Sequence, residues 1–179
     1  LNTTAAYEAY REYSDLYIKY KLPYAANFYQ RFRNGDMPIG LGNNGTYAQL
    51  QVAAPEIAGK WDFRPVPGHV DETTGEVVRY ADGVGSVSVI VSSTKKADDT
   101  WKFIQWWTSE ETQSAYGQEV EIAYGVASRW YSANMDALDT TPHTEQEKAN
   151  ILEQWKYLKE VPNVPGGYYT SRYLLTALN

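Results

Sequence analysis

The chain has 179 residues, of which 43% are hydrophobic, enough for one domain or parts of two lobes with an apolar core. Its formal net charge is −6 and Lys95-Lys96 is its one adjacent basic pair, which argues against nucleic acid as a partner. The absence of cysteine excludes disulfide scaffolds, thiol nucleophiles and thiolate metal sites. No apolar run reaches the roughly 18 residues of a membrane span, so we expect no direct membrane insertion.

The first forty residues are predicted to form two helices. Thr3 or Thr4 can cap the first, which ends before Pro23 because proline cannot continue a helix. The second is predicted over residues 26–34. Gly35 follows it and can adopt the positive φ that ends a helix.

The middle of the chain is predicted to alternate strands and turns. Strands are expected over residues 38–41, 61–66 and 86–92, the last because it alternates and is rich in Val and Ile. Residues 45–54 read as a helix that ends at a proline. Residues 70–80 read as a hairpin with its turn at Thr-Thr-Gly-Glu.

The second half of the chain is predicted to be mainly helical. Asp98 and Asp99 begin a helix, where their charges favour the N-terminal end of the dipole. Ser109 caps the next, which is expected to reach Gly117. Further helices are predicted over residues 128–138, 144–159 and 168–178.

The titratable residues show no pattern typical of a metal, cofactor or catalytic site. His69 and His143 lie in loop-like contexts without a second histidine at metal spacing, so both are predicted to be solvated. Glu119 and Glu121 are also predicted to be solvated. We therefore expect no cofactor, no metal and no catalytic residue.

Tyrosine and tryptophan are unusually frequent, at 16 and 6 residues against 4 Phe. Both have an apolar face and a polar edge, which suits stacking on sugar rings. Three loops rich in glycine carry polar and aromatic groups, over residues 42–47, 82–88 and 166–172.

Six segments occur in an order that resembles a known family. They are FRNGDMPIGLGNNGTY (32–47), FRPVPG (63–68), DGVGSVSVIV (82–91), ADDTWKFIQWWTSEETQ (97–113), YGVAS (124–128) and VPNVP (161–165). This set resembles the C-terminal half of the extracellular solute-binding proteins of ABC importers, the family that includes maltose-binding protein. The resemblance runs from about Tyr24 to Asn179.

The resemblance implies an α/β fold of the type-II periplasmic-binding-protein kind, incomplete and C-terminal. Residues 1–80 and 129–179 would belong mostly to the second lobe, and residues 81–128 to the first lobe and hinge. Further segments ahead of Leu1 would complete the lobes and carry a lipid anchor. The protein would then lie outside the cell, at the cell surface or in the periplasm. Without those segments the strand over residues 86–92 should present an apolar flank or pair with another chain.

The resemblance also implies a receptor that binds a sugar or oligosaccharide and delivers it to ABC permease subunits without breaking bonds. Two alternatives stay open: a glycoside-acting enzyme domain using Asp82 and Glu121, and a stand-alone carbohydrate-binding module. At the positions that match the aromatic residues that bind maltose in maltose-binding protein, this chain has Ser171 and Arg172. Its ligand contacts are therefore expected to depart from the maltose pattern. The ligand-binding residues are predicted to be Asn43, Asn44, Tyr47, Asp82, Ser86, Tyr168, Tyr169 and Arg172.

Overall fold

The chain folds mainly as short helices joined by loops. The computed structural model describes residues 2–83, 85–160 and 164–178, and within those ranges it contains eight α-helices and four two-residue strands. The helices are α1 (Thr4–Ile18), α2 (Phe28–Asn34), α3 (Asn44–Ala53), α4 (Ala97–Trp107), α5 (Glu110–Tyr124), α6 (Met135–Leu138), α7 (Glu145–Trp155) and α8 (Gly167–Leu178).

Polar side chains at the N-cap position set where several of these helices begin. Thr3 accepts a hydrogen bond from the backbone of α1, and Asn43 and Ser109 do the same for α3 and α5. Each cap satisfies an N–H group that has no partner inside its helix. Gly35 ends α2 with a φ of 83°, as its sequence context predicts.

The structure divides into two compact units. One comprises Leu1–Gly40 and Val161–Asn179, and the other comprises Leu41–Glu160. In the first unit the hydroxyl of Tyr10 on α1 donates to the carbonyl of Ala177 on α8, at 3.0 Å. The assignment of residues to two lobes, made from the sequence, stays a prediction.

In the core of the second unit, the 3₁₀ turn Val126–Ser128 packs against α3 and α5, and α5 also packs against α6. Side chains that pack there are small or medium in size, so each buries only a modest apolar area. The buried apolar residues are Ala48, Leu50, Ala54, Ala137, Leu138 and Ile151.

Four short strands pair in two places. Strand β1 (His69–Val70) pairs antiparallel with β2 (Val77–Val78), which confirms the predicted hairpin. Strand β3 (Ala81–Asp82) pairs in parallel with β4 (Leu158–Lys159). Both helices and strands are therefore present, and this mixed content is compatible with the predicted α/β class.

The predicted strands over residues 38–41 and 61–66 are wrong. In the second segment, helix side chains take the place of a neighbouring strand: Gln154 accepts from the amide of Val66 at 2.8 Å, and Asn150 donates to the carbonyl of Phe63 at 2.9 Å. In the first, Gly40 lies directly against the ring of Phe28, where a Cβ would stand 2.1 Å from a ring carbon. Local alternation could not reveal either contact.

The segment over residues 86–92 also forms no strand. Val87, Val89 and Val91 are 84%, 71% and 61% exposed, which confirms the expectation of an apolar flank. An alternating Val/Ile pattern becomes a strand only when a neighbour supplies ladder partners. Val84 and residues 161–163, which belong to the quoted segments, lie outside the described residues.

Two helical predictions also need correction. Helix α5 continues past Gly117 to Tyr124, and the helix predicted over residues 128–138 is reduced to the single turn of α6. Asn134 caps α6, so the helix cannot begin earlier. Of the preceding residues, Arg129 and Trp130 instead turn their side chains toward α5, where they donate hydrogen bonds to Glu121 and Gln113.

Candidate functional site

A charged pair lies at the centre of the polar network in the second unit. Arg129 donates from Nε to Oε2 of Glu121 at 2.8 Å and from Nη2 to Oε1 at 2.7 Å. Its side chain is 8% exposed and that of Glu121 is 18% exposed. The hydrogen bonds from Arg129 lower the pKa of Glu121, and those to Glu121 raise the pKa of Arg129. Both groups therefore stay charged. The prediction of a solvated Glu121 is wrong.

His143 is buried beside this pair, at 6% exposure, so the prediction of a solvated loop residue is wrong for it. The hydroxyl of Thr141 donates to the carbonyl of Leu138, so we assign it as the acceptor of a proton on His143 Nδ1, 2.9 Å away. The other nitrogen, Nε2, faces the Tyr131 hydroxyl and Nη1 of Arg129, each at 3.4 Å. Burial and the nearby guanidinium lower the pKa of His143, which favours the neutral ring.

Burial raises the pKa of the Tyr131 hydroxyl to about 12. Tyr131 is therefore a neutral phenol at physiological pH, and its O–H can donate to the unprotonated Nε2 of His143. The network around His143 therefore consists of the charged pair Glu121–Arg129 and the neutral hydroxyls of Tyr131 and Thr141.

Tyr47 connects α3 with α7. Its hydroxyl donates to Oε1 of Glu147 at 2.9 Å, and its ring lies 5.6 Å from that of Trp61 and 5.5 Å from that of Phe63. The other oxygen of Glu147 accepts from the backbone and the hydroxyl of Thr144, which completes a capping box. Burial, and then Glu147, raise the pKa of Tyr47.

Four other predicted ligand residues also lie in the second unit. Asn43 caps α3, so its side-chain oxygen already accepts a hydrogen bond within the chain. Asn44 begins α3 and is exposed, Asp82 lies in β3, and Ser86 lies on the exposed segment. No hydrogen bond of the Asp82 or Ser86 side chain occurs in the described part of the chain, so both present their polar groups to solvent.

The last three predicted ligand residues lie on α8, in the first unit. Tyr168 and Tyr169 are 71% and 62% exposed, and their rings meet edge to face at 5.7 Å. Arg172 follows Tyr168 by one helical turn. Together with Ser171, Leu175 and Thr176, these two residues line a shallow groove along one side of α8. Because the eight predicted residues are divided between two units, their convergence in one cleft stays a prediction.

No sequence pattern predicted a role for Arg129, Tyr131 or Thr141. Arg129 and Tyr131 are spaced like neighbours on one face of a strand, but they meet Thr141 only around His143, through the packing of residues 129–143. Thr144 and Glu147 did carry a signal, since Thr-x-x-Glu before a helix is a capping box. That pattern predicts the cap, but not the tyrosine that shares its carboxylate.

The geometry of Glu121 bears on the enzyme alternative. Both of its oxygens accept hydrogen bonds from Arg129, which lower the pKa of the carboxyl and favour its charged form, whereas a general acid has to carry a proton. Within residues 2–83, 85–160 and 164–178, no group of three or more His, Asp or Glu side chains is arranged to hold a metal ion. No helix in those ranges combines the length and apolar character needed to cross a membrane.

Comparisons with known proteins identify the family. The pattern of the family described as bacterial extracellular solute-binding protein matches residues 2–163. Comparisons with curated proteins and with solved structures found no match. Because the family match covers most of the chain, the resemblance to solute-binding proteins is confirmed. The chain belongs to the bacterial extracellular solute-binding protein family.

Proposed function

We propose that this protein is a receptor that binds a sugar or oligosaccharide outside the cell and delivers it to the permease of an ABC transporter. Its family consists of extracellular solute-binding proteins of ABC transport, which supports solute binding as the general function. That the solute is a carbohydrate, and that it is delivered to a permease, are our proposals beyond this general function.

The observation that carries the carbohydrate part is the exposed face of α8. Tyr168 and Tyr169 present two aromatic rings to solvent, and Arg172 lies one turn away with no acidic partner among the described side chains. Aromatic faces stack on the apolar faces of sugar rings, and a guanidinium donates to their hydroxyls. The two rings pack against each other edge to face and leave most of their surface open to solvent.

The other proposed contacts come from the second unit. Asn44, Asp82 and Ser86 offer exposed amide, carboxylate and hydroxyl groups, all of which can hydrogen-bond sugar hydroxyls. Tyr47 would add a ring edge, and Asn43 would act through its cap of α3. No metal or cofactor enters the proposed mechanism.

The proposed fold is that of a type-II periplasmic binding protein, with this chain forming its C-terminal part. In such a receptor two lobes close about a hinge over the solute, and the closed state is favoured by stacking and hydrogen bonding to the ligand. A lipid anchor on the parent protein would hold it at the cell surface. Interaction with the permease then depends on the closed state.

A binding experiment with product analysis tests the function. Incubation of the protein with labelled oligosaccharides should give saturable binding by calorimetry and no new product by chromatography. Turnover would show a glycoside-acting enzyme instead. Binding without any stimulation of the ATPase of a co-reconstituted permease would indicate a stand-alone carbohydrate-binding module.

A pair of variants tests the site on α8. Tyr168→Ala should raise the Kd for the oligosaccharide roughly five- to 150-fold, because a stacking platform is worth about 1–3 kcal/mol. Tyr124→Ala is the matched control, since Tyr124 is similarly exposed, at 76%, but ends α5 and is not among the proposed ligand residues. Equal affinities for the two variants would refute the assignment of α8 to the sugar site.

A further inference from the structure

Two aromatic rings lie next to each other on an open side of α4. Phe103 and Trp106 are 58% and 56% exposed, and their ring centroids lie 5.4 Å apart. A spacing of three residues places them on the same side of the helix. Trp107 points elsewhere, because it is half-buried and its ring meets that of Tyr116 on α5 edge to face at 5.1 Å. The Phe103–Trp106 pair therefore lies on a side of α4 that α5 leaves open to solvent.

Opposite charges lie at the two ends of this helix. Lys95 and Lys96 directly precede α4, whereas Glu110 and Glu111 follow it as the first two residues of α5. All four residues are exposed, and among the residues that the structure describes none of the four forms an ion pair. Their charges are therefore available to another molecule that carries acidic groups at one end of an apolar strip and basic groups at the other.

A second copy of α4 carries those groups in the required order when the two helices lie antiparallel. In a pairing centred on Phe103, residues equally distant from it on opposite sides face each other. Lys96 and Glu110, each seven positions away, become partners, and so do Lys95 and Glu111, each eight positions away. Because such a pairing is two-fold symmetric, the same contacts form at both of its ends. One arrangement therefore covers the aromatic centre and pairs the charged ends.

Other arrangements of two such helices bring like charges together. An antiparallel register that set Phe103 against Trp106 of the second copy would also set Asp99 against Glu110. A parallel pairing would set Lys96 against the same lysine of the other copy. Repulsion between like charges opposes both. The charge pattern therefore selects the antiparallel register centred on Phe103.

We propose that two copies of this chain associate through α4 as an antiparallel, two-fold symmetric dimer. The Phe103–Trp106 pairs pack at its centre, and two lysines of one copy meet two glutamates of the other at each end. An aromatic side chain buries about 150–250 Å² when fully covered, so four half-exposed rings supply roughly 300–500 Å². Stable dimers bury more than about 1,200 Å² in total, so this dimer is reversible, with a Kd of about 0.1–1 mM. The interface shares no residue with the proposed sugar site and does not depend on it.

Sedimentation equilibrium up to millimolar protein measures the association. All samples carry Val89→Lys, which opposes pairing through the exposed segment over residues 86–92. The Val89→Lys protein should show a monomer–dimer equilibrium, and adding Phe103→Lys should raise the Kd at least about tenfold because it places a charge at the centre of the interface. Trp101→Lys is the matched control. Trp101 is similarly exposed on α4, at 53%, but a spacing of two residues from Phe103 places it on the opposite side of the helix.

An exchange of charges tests the register. Lys95→Glu/Lys96→Glu and Glu110→Lys/Glu111→Lys should each raise the Kd at least about tenfold, because four attractive pairs become repulsive. The combination of all four substitutions restores complementarity and should return the Kd to within about twofold of its starting value. The two double variants shift the net charge in opposite directions, so a general effect of net charge would not weaken association in both.

Circular dichroism verifies that each variant keeps its helices, and Phe103→Lys gives an independent answer if Glu110→Lys/Glu111→Lys loses the start of α5. The proposal is overturned if the Val89→Lys protein stays monomeric at millimolar concentration, or if the fourfold exchange leaves the Kd as high as in the double variants. It is also overturned if Phe103→Lys and Trp101→Lys raise the Kd equally, or if the two double variants shift the Kd in opposite directions.

Discussion

At the scale of single residues, the stability of the second unit depends on a few buried polar groups. Arg129 contacts both Glu121 and Nε2 of His143, and His143 in turn depends on Thr141 for its tautomer. Such groups contribute little when they are fully paired, but removing one partner leaves the other buried without compensation. The consequences can be measured one residue at a time.

Glu121→Gln should destabilise the protein by about 3–5 kcal/mol, because Arg129 would remain buried without a carboxylate. Urea unfolding followed by fluorescence measures the change. Glu119→Gln, on the exposed side of the same helix, is the control and should change the free energy of unfolding by less than about 0.5 kcal/mol. Similar unfolding free energies for the two variants would contradict the role of the ion pair.

His143 should make stability depend on pH. Its pKa in the folded state lies below the ordinary value of 6.5, because of burial and Arg129, while Glu147 and Glu121 act in the opposite direction. The unfolded chain therefore binds a proton first, and stability should fall as pH drops below about 6.5. Thermal midpoints between pH 7.5 and pH 5 measure the slope. His143→Gln should flatten it, whereas His69→Gln at an exposed site should not.

Tyr47 allows packing and ligand binding to be separated. Tyr47→Phe removes the hydrogen bond to Glu147 but keeps the ring contacts with Trp61 and Phe63. Tyr47→Ala removes both and should cost about 3–5 kcal/mol if the ring mainly stabilises the fold. If the ring also contacts the sugar, affinity should fall by about 1–3 kcal/mol in the folded fraction. Calorimetry and thermal midpoints on the same samples distinguish the two outcomes.

At the scale of elements, side-chain caps define the helices more clearly than apolar periodicity does. The clearest case is α7, where Thr144 and Glu147 satisfy each other's backbone N–H groups. The same carboxylate holds Tyr47, so the cap of α7 also connects α7 with α3. The start of this helix is therefore a structural junction.

Thr144→Ala should lower stability by about 0.5–2 kcal/mol, the usual effect of losing an N-cap. For a chain of this size about 1 kcal/mol corresponds to a fall of about 2–4 °C in Tm. Thr100→Ala is the control, because within the described residues the hydroxyl of Thr100 bonds to the carbonyl of Lys96, the N-cap residue of its own helix, α4. An unchanged Tm for Thr144→Ala would mean that Glu147 alone holds the junction.

At the scale of the whole molecule, much apolar surface is exposed. Val87 and Val89 lie on a segment without a strand partner, and Trp101, Phe103 and Trp106 project from α4. Exposed apolar segments with high β-propensity are typical sites of association between chains. The solution behaviour should reflect this surface.

We expect the average mass in light scattering to rise with protein concentration. Val89→Lys should reduce that rise, because a charge opposes strand pairing between chains. Val52→Lys, which places the same charge on an exposed position of α3, is the control. If both variants reduce association equally, net charge is responsible and the 86–92 segment is not the contact.

The sequence by itself determined the class of the protein and most of the helices. Caps such as Thr3 and Ser109, and the terminating Gly35, act through neighbouring backbone groups, so their effect can be read from a few residues. The ordered segments identified the solute-binding family, which the family comparison then confirmed. The predicted ligand residues follow from that resemblance and await the binding experiments.

The tertiary structure alone decided which alternating segments became strands and which polar residues became buried. A strand needs a neighbouring strand as its hydrogen-bond partner. Residues 61–66 bond instead to the side chains of Gln154 and Asn150. His143 and Glu121 carry ordinary loop and helix contexts in the sequence, yet the packing of residues 129–143 against α5 buries them around Arg129. The contacts of Gln154 and Asn150 join residues far apart in the chain, and those around Arg129 depend on how a loop packs against a helix, so no helical or strand pattern encodes either set.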